Sequence, residues 1–334
     1  MSPVVVFWTE RENALSVRDL RKNLEGCYVT IPTPFADTPG MEVNESALRE
    51  YVRFLVDSGL SGDYATFLAG GAAGDFSTMS FDERVRVASI VVEEVDGAAP
   101  VAMGAQTTST LELVRLAKAA KALGARFIQV SCPFYFTHTE GDFEDYIRAA
   151  AAAEPSLGII IYNTFWTSQN LSFAMIERLA GIPNIVGLKW ATPRSDSMEF
   201  EDVVSTFSDR FTIIDNNLLF SMSAMPALGA RAFEVHQCNF WPEWGIRLID
   251  EVKARNYAEI ARMLVEEAMP FYKLWVEIEN DHTSGDGYLD KLCMELIGLP
   301  SSRCRPPTRD IRELYRDRCH AMMKSIGVPR LVQA

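Results

Sequence analysis

A lysine that closes a buried strand is a candidate amine nucleophile, and Lys189 does so after the apolar run Ile185-Val186-Gly187-Leu188. Twenty-seven residues earlier Tyr162 closes an equally apolar run, Gly158-Ile159-Ile160-Ile161, which predicts an amine and a phenol on neighbouring strands. Burial against apolar walls depresses a lysine pKa, and the neutral amine that results attacks carbonyl carbon. Taken singly, each residue has a plainer use: a strand-end lysine snorkels to solvent and a core tyrosine simply bonds its hydroxyl. The pairing is what points to carbonyl chemistry.

A second ionisable pair lies in RAFEVH. If Phe233 and Val235 face covering helices, Glu234 and His236 face a pocket, where they act as acid and base or satisfy each other and nearby backbone groups. A glycine-rich segment, AGGAAGDFSTMSFDE, opens into a helix near Ser80 and offers backbone N–H groups to a carboxylate or phosphate, or is a plain turn. It fits neither GxxxxGK[ST] nor GxGxxG, which argues against a nucleotide site. Cys27, Cys132, Cys238, Cys293, Cys304 and Cys319 show no CxxC spacing, and His138, His236, His282 and His320 no HxxxH or HExxH pattern. No metal is predicted, and buried free thiols are the expectation.

These groups need a scaffold, and the chain supplies a recurring one. From Cys27 onward eight short apolar or β-branched runs, 27–33, 64–69, 100–105, 126–131, 158–163, 184–189, 211–215 and 231–236, alternate with longer stretches of helical periodicity. Glycines at the helix exits lead into short connections. Parallel strands need helical crossovers and eight of them close a sheet, so the predicted fold is an α/β (β/α)8 TIM barrel, with a doubly wound open sheet as the alternative. Working residues then sit at the C-terminal ends of the strands. Alternation places Ile185, Gly187 and Lys189 on one inward face, and Ile160 with Tyr162 on another. Residues 1–25 read as an N-terminal extension, 26–255 as the barrel and 256–334 as a C-terminal helical layer.

The 334 residues, 48% hydrophobic and 23% charged, suit one large domain with additions. A formal charge of −13 and a pI near 4.9 argue against nucleic-acid or anionic-membrane partners, which require a basic surface. The apolar start of the chain is too short and too soon charged for a signal peptide or a membrane span, so a cytoplasmic protein is expected.

At these residues the chain resembles the dihydrodipicolinate synthase and N-acetylneuraminate lyase family of Schiff-base aldolases and dehydratases. The resemblance runs from about Gly26 to Pro307. It comprises Thr33-Pro34-Phe35, Gly71-Ala72-Ala73-Gly74-Asp75 with Ser77-Thr78-Met79 and Asp82-Glu83, Pro133-Phe134-Tyr135, Tyr162-Asn163, Gly187-Leu188-Lys189 and Arg305-Pro306-Pro307. It implies a homo-oligomer of barrels, a tetramer or dimer, in which Lys189 forms an imine with a 2-oxo acid, Tyr162 shuttles protons and Tyr135 is a relay tyrosine near a subunit interface. The protonated imine is itself the electron sink, so neither metal nor organic cofactor is implied.

The departures shape the expected substrate. Ala72 and Ala73 stand where hydroxyl residues usually bind the keto-acid carboxylate and relay protons, and Asp75 stands where glutamate is usual. Thr164-Phe165-Trp166-Thr167 replaces a segment that in synthases carries an arginine for a second carboxylate. With Trp190, Phe240, Trp241 and Trp244 near strand ends, the predicted mouth is aromatic rather than cationic, although the parity of Trp190 turns it toward the helices. Residues 69–76 and Asn239-Phe240-Trp241-Pro242 are similar to 5-dehydro-4-deoxyglucarate dehydratases. The N-terminal extension and Cys304-Arg305-Pro306-Pro307 are similar to hydratase-aldolases that cleave benzylidenepyruvates. The expectation is a Schiff-base lyase for a 2-oxo acid, with an aromatic or apolar aldehyde half. Lys189, Tyr162 and Tyr135 carry the catalysis, and Gly71, Ala72, Ala73, Phe165, Trp166, Thr167, Glu234 and His236 line the substrate. Two alternatives are a barrel that only binds a small molecule, and a non-imine enzyme using Glu234 and His236.

Overall fold

The computed structural model describes residues 16–165, 170–193, 198–217, 229–282 and 287–333. Eight parallel strands close on themselves in sequence order, giving a (β/α)8 barrel. They are β1 (Gly26–Ile31), β2 (Ala65–Ala69), β3 (Val101–Gly104), β4 (Phe127–Ser131), β5 (Gly158–Thr164), β6 (Ile185–Ala191), β7 (Thr212–Asp215) and β8 (Ala232–Glu234). A helix α1 (Val17–Lys22) precedes β1. Helices α2 (Glu45–Asp57), α3 (Phe81–Val95), α4 (Thr110–Leu123), α5 (Glu140–Ala153), α6 (Phe173–Leu179) and α7 (Met198–Phe207) follow the first six strands, and α8 (Pro242–Ala254) follows β8. Helices α9 (Tyr257–Met263) and α10 (Met269–Asp281), joined by a π turn at Leu264–Ala268, then α11 (Gly287–Leu296) and α12 (Arg312–Ser325), complete the described elements. Among the described residues no helix is long and apolar enough to cross a membrane.

Local chemistry sets the helix starts. Ser80 and Glu83 close a capping box at the head of α3, Thr139 and Asp142 another at α5, and each satisfies N–H groups that the first turn leaves unpaired. Gly124 ends α4 in the left-handed conformation, where a side chain would strain the backbone.

Two apolar layers hold the barrel. The larger lies between strands and helices. The smaller fills the N-terminal end of the lumen with Tyr28, Leu68, Ala102, Phe127, Ile160, Val186, Ile214 and Ala232, and its floor is Leu20 and Leu24. Helix α1 therefore plugs the barrel from below. Its Arg21 donates to the carbonyls of Ser208 and Asp209, and Thr212 Oγ1 returns a bond to the Arg21 carbonyl.

Strand β6 departs from simple alternation. Ile159 pairs with Ile185 but Ile160 pairs with Gly187, which makes Val186 an extra residue on β6. Val186 joins the lumen layer while Ile185 lies in the outer layer. A Cβ on Gly187 would meet Leu24 Cδ1 at 2.8 Å, so Gly187 also faces inward. The predicted common face of Ile185, Gly187 and Lys189 is corrected to Gly187 and Lys189, because the bulge resets the parity between Ile185 and Gly187.

Candidate active site

Lys189 is the seated group around which the others gather. Its side chain is 3% exposed, and Nζ lies 2.9 Å from Glu234 Oε2. The same ammonium stands 4.4 Å from the ring centre of Tyr162 and 5.5 Å from that of Tyr28, within cation–π range of both. The immediate neighbours of the amine are thus a carboxylate and two phenol rings. Burial opposes ionisation of Glu234, but the charges of Lys189 and His236 and the bonds from Lys189 and Thr30 outweigh it and hold the carboxyl below its usual range. Thr30 Oγ1 donates to Glu234 Oε1 at 3.1 Å, so each carboxylate oxygen has its own partner.

Tyr162 is the residue of β5 paired in register with Lys189, which puts both side chains on one side of the sheet. It is nearly buried, and Asn216 Nδ2 donates to its hydroxyl at 3.0 Å. The hydroxyl lies at the top of the barrel, where Asn216 follows β7 directly.

Strand β8 ends at Glu234, two residues before the predicted end. His236 opens a short 3-10 turn through Asn239, and its imidazole faces the C-terminal helices. Nδ1 lies 2.8 Å from Asp290 Oδ2, to which Asn239 Nδ2 also donates, and Tyr51 bonds Asn239 in turn. Trp275, Phe271 and Tyr272 surround the ring. His236 thus leaves the period-2 face expected of it, with Nδ1 engaged by Asp290 behind the strand, while its charge still acts on Glu234. Burial pushes the Asp290 carboxyl up, and the neighbouring His236 opposes that rise. The same turn carries Phe240, Trp241 and Trp244 into the outer core, with Phe240 and Trp244 fully buried, so the aromatic mouth predicted from them is not there. Trp190 points to the helix layer, and its Nε1 donates to Glu199.

The loop after β2 is shaped by close backbone approaches. Gly70 takes φ +69°, and a Cβ on Gly104 would lie 1.9 Å from its carbonyl oxygen. The Gly74 and Asp75 amides turn back to the Gly71 and Ala72 carbonyls, and Thr33 Oγ1 donates to the Gly74 carbonyl. Among the described residues the amides of Ala72 and Ala73 donate to no protein acceptor. A Cβ on Gly71 would meet Thr30 Cγ2 at 2.7 Å, so the loop rests against the threonine that holds Glu234. Asp75, at φ +59°, reaches the buried Lys291 Nζ at 2.6 Å.

Tyr135 stands apart from this cluster. It is 88% exposed at φ +85°, edge-on to the exposed Phe136. Phe165, 45% exposed, follows β5. Trp166 and Thr167 lie outside the described residues. Tyr28, Thr30, Asn216, Asp290 and Lys291 were not singled out from the sequence. Tyr28 and Thr30 alternate with Val29 and Ile31 and were legible by parity, and Asn216 by its place after a strand. Asp290 and Lys291 sit in a helical pattern where charges ordinarily mark a solvated face.

A model of the dihydrodipicolinate synthetase family matches residues 23–326. A 4-hydroxy-tetrahydrodipicolinate synthase of Syntrophus aciditrophicus is 29% identical over 305 residues, covering 91% of this chain and 99% of its own. One from Methanopyrus kandleri is 30% identical over 308 residues, 91% of this chain and 97% of its own. In fold, the chain is similar to dihydrodipicolinate synthase from Oceanobacillus iheyensis, with a TM-score of 0.81, 23% identity and coverage of 93% and 99%. It is also similar to the chloride-inhibited enzyme from Acinetobacter baumannii complexed with pyruvate, with a TM-score of 0.79, 24% identity and coverage of 91% and 99%.

Proposed function

The chain belongs to the dihydrodipicolinate synthetase family, and from that premise we propose that Lys189 forms a Schiff base with a pyruvate-type 2-oxo acid. The activity is that of a lyase of the class I aldolase type. One observation carries the assignment to Lys189: an almost fully buried ammonium in the C-terminal half of a barrel strand, against the face of a tyrosine ring. A lysine held there has no solvent role, and an iminium formed on it draws electrons from the adjacent carbon, so that a carbon–carbon or carbon–oxygen bond one atom further out can break.

Tyr162 takes the proton-shuttling part. Its hydroxyl is anchored by Asn216, and its ring already stacks on the reacting nitrogen. The Ala72 and Ala73 amides hold the carboxylate of the oxo acid, without the hydroxyl bonds worth about 1 kcal/mol each that other members add. An aromatic or apolar aldehyde half is favoured by Phe165 and by the sequence position of Trp166, where a cation for a second carboxylate would otherwise stand. Exposed Phe134, Tyr135 and Phe136 suit a contact between copies of the chain, as the family resemblance implies.

Borohydride reduction in the presence of pyruvate tests the reading. Expected is a stable adduct on Lys189, found by mass spectrometry of its peptide. No adduct with pyruvate or with several other 2-oxo acids would sink the covalent mechanism.

A further inference from the structure

An imine cannot form from an ammonium, so some group must take a proton from Lys189 and later deliver one to the departing oxygen. The usual hydroxyls of the facing loop are alanines here, Ala72 and Ala73. Thr33, whose hydroxyl reaches that loop, is committed to the Gly74 carbonyl. Tyr162 is a phenol, whose ordinary pKa near 10 makes it a poor acceptor at neutral pH. His236 is turned to Asp290 through Nδ1 and enclosed by aromatic rings. Glu234 alone among these is both ionised and in direct contact with the nitrogen, at 2.9 Å.

We propose that Glu234 is the acid–base catalyst of imine formation, acting on Lys189 Nζ and then on the oxygen of the carbinolamine. This rests on the Schiff-base reading above. The steps balance without any further reactant. Lys189 passes one proton to Glu234 Oε2, and the free amine pair attacks the ketone carbon while the carbonyl π pair moves to oxygen. A second nitrogen proton transfers to that oxygen, giving a neutral carbinolamine. Glu234 then returns its proton to the hydroxyl, which leaves as water as the nitrogen pair forms the C=N bond. The result is a protonated imine facing a carboxylate again, so the charge pair present at the start is restored and the iminium keeps its counter-ion in a buried site.

Thr30 fixes which oxygen works. By donating to Oε1 it leaves Oε2 for Lys189, and it steadies the carboxylate in the ionised form. The β1–β8 register pairs Tyr28 with Glu234, so the carboxylate comes off the strand beside the ring that also faces the ammonium. The proton route therefore lies on the β1–β8 side of the lumen, next to the strand-two loop whose hydroxyls it replaces.

The experiment is a time course of pyruvate adduct formation, quenched with borohydride and read by intact mass. The wild-type chain is measured first: an adduct-free wild type overturns the Schiff-base reading and this proposal together. With a trapping wild type, Glu234→Gln is expected to form the adduct about 10²-fold or more slowly at neutral pH while reaching the same end point on long incubation. Formate added to Glu234→Ala is expected to restore part of the lost rate. Thr30→Val, which leaves the carboxylate in place but removes the bond to Oε1, is expected to move the acidic limb of the rate–pH profile upward, and it keeps the proposal testable should the Glu234 variants unfold. Glu234→Gln trapping at the wild-type rate or faster overturns the proposal, because the carboxylate would then only hold the ammonium. So does an absence of rescue by formate in a folded Glu234→Ala chain.

Discussion

Replacing Lys291 by methionine isolates the worth of the ion pair that ties the loop after β2 to α11. Lys291 is 1% exposed and its Nζ lies 2.6 Å from Asp75 Oδ2, on a side chain 10% exposed. The ammonium also stands 4.7 Å from the Phe35 ring centre. Methionine keeps an unbranched stem of similar reach, so what is lost is the charge. A carboxylate left buried without its partner costs about 3–5 kcal/mol, and the lower half applies because Asp75 keeps some contact with solvent. Lys291→Ala also forfeits roughly three buried methylenes at about 0.8 kcal/mol each, for a total of about 5–7 kcal/mol. Adding Asp75→Asn to Lys291→Met removes the stranded charge and is expected to recover most of the loss. Urea unfolding of the single and double variants at neutral pH reads these differences, and KM for the oxo acid is expected to rise in Lys291→Met as the loop loses its anchor. Wild-type stability in Lys291→Met, with no gain from the second substitution, would refute the reasoning.

Two further outcomes follow from the same geometry. Tyr162→Phe keeps the ring over Lys189 and loses the hydroxyl, so borohydride trapping of pyruvate is expected to persist while turnover falls about 10²–10³-fold; equal loss of both would put the hydroxyl in imine formation instead of the proton transfers that follow it. Asp215, fully buried, has its carboxyl pushed by burial from an ordinary 3.8 to about 6. A raised carboxyl pKa makes the folded state hold its proton longer than the unfolded state, so stability declines as pH rises from about 4 to 6. Asp215→Asn is expected to flatten that decline and to stabilise the chain at pH 7 by on the order of 2–3 kcal/mol in urea melts, and a loss of stability at pH 7 would contradict it.

The barrel was legible because strand and helix periods differ and alternate eight times, and the lysine because a charge at the end of an apolar run is conspicuous. What alternation could not reveal was a change of register within one strand. Val186 adds a residue to β6, and no residue type there announces it, so Ile185 was placed on the wrong face while Lys189 was placed on the right one. Alternation does not reach His236 for a related reason: the chain leaves β8 after Glu234, and a 3-10 turn has no period-2 parity. Phe240, Trp241 and Trp244 followed that turn into the core. Asp290 and Lys291 escaped notice because their partners lie far away in sequence, and a helical pattern by itself does not say which charged face is covered.

Helix α11 gives the site a shared ruler. Asp290 and Lys291 are neighbours in sequence, and successive residues of a helix point about 100° apart, so one reaches His236 behind β8 and the other reaches Asp75 beyond β2. Gly287, at the start of the helix, lies against the Ala73 carbonyl, where a Cβ would come within 2.7 Å. Any displacement of this one helix is thus transmitted to the loop after β2 and to the turn after β8 together. A segment outside the β/α repeat is therefore mechanically joined to two loops at the C-terminal face of the barrel, and a substitution in it is felt at both.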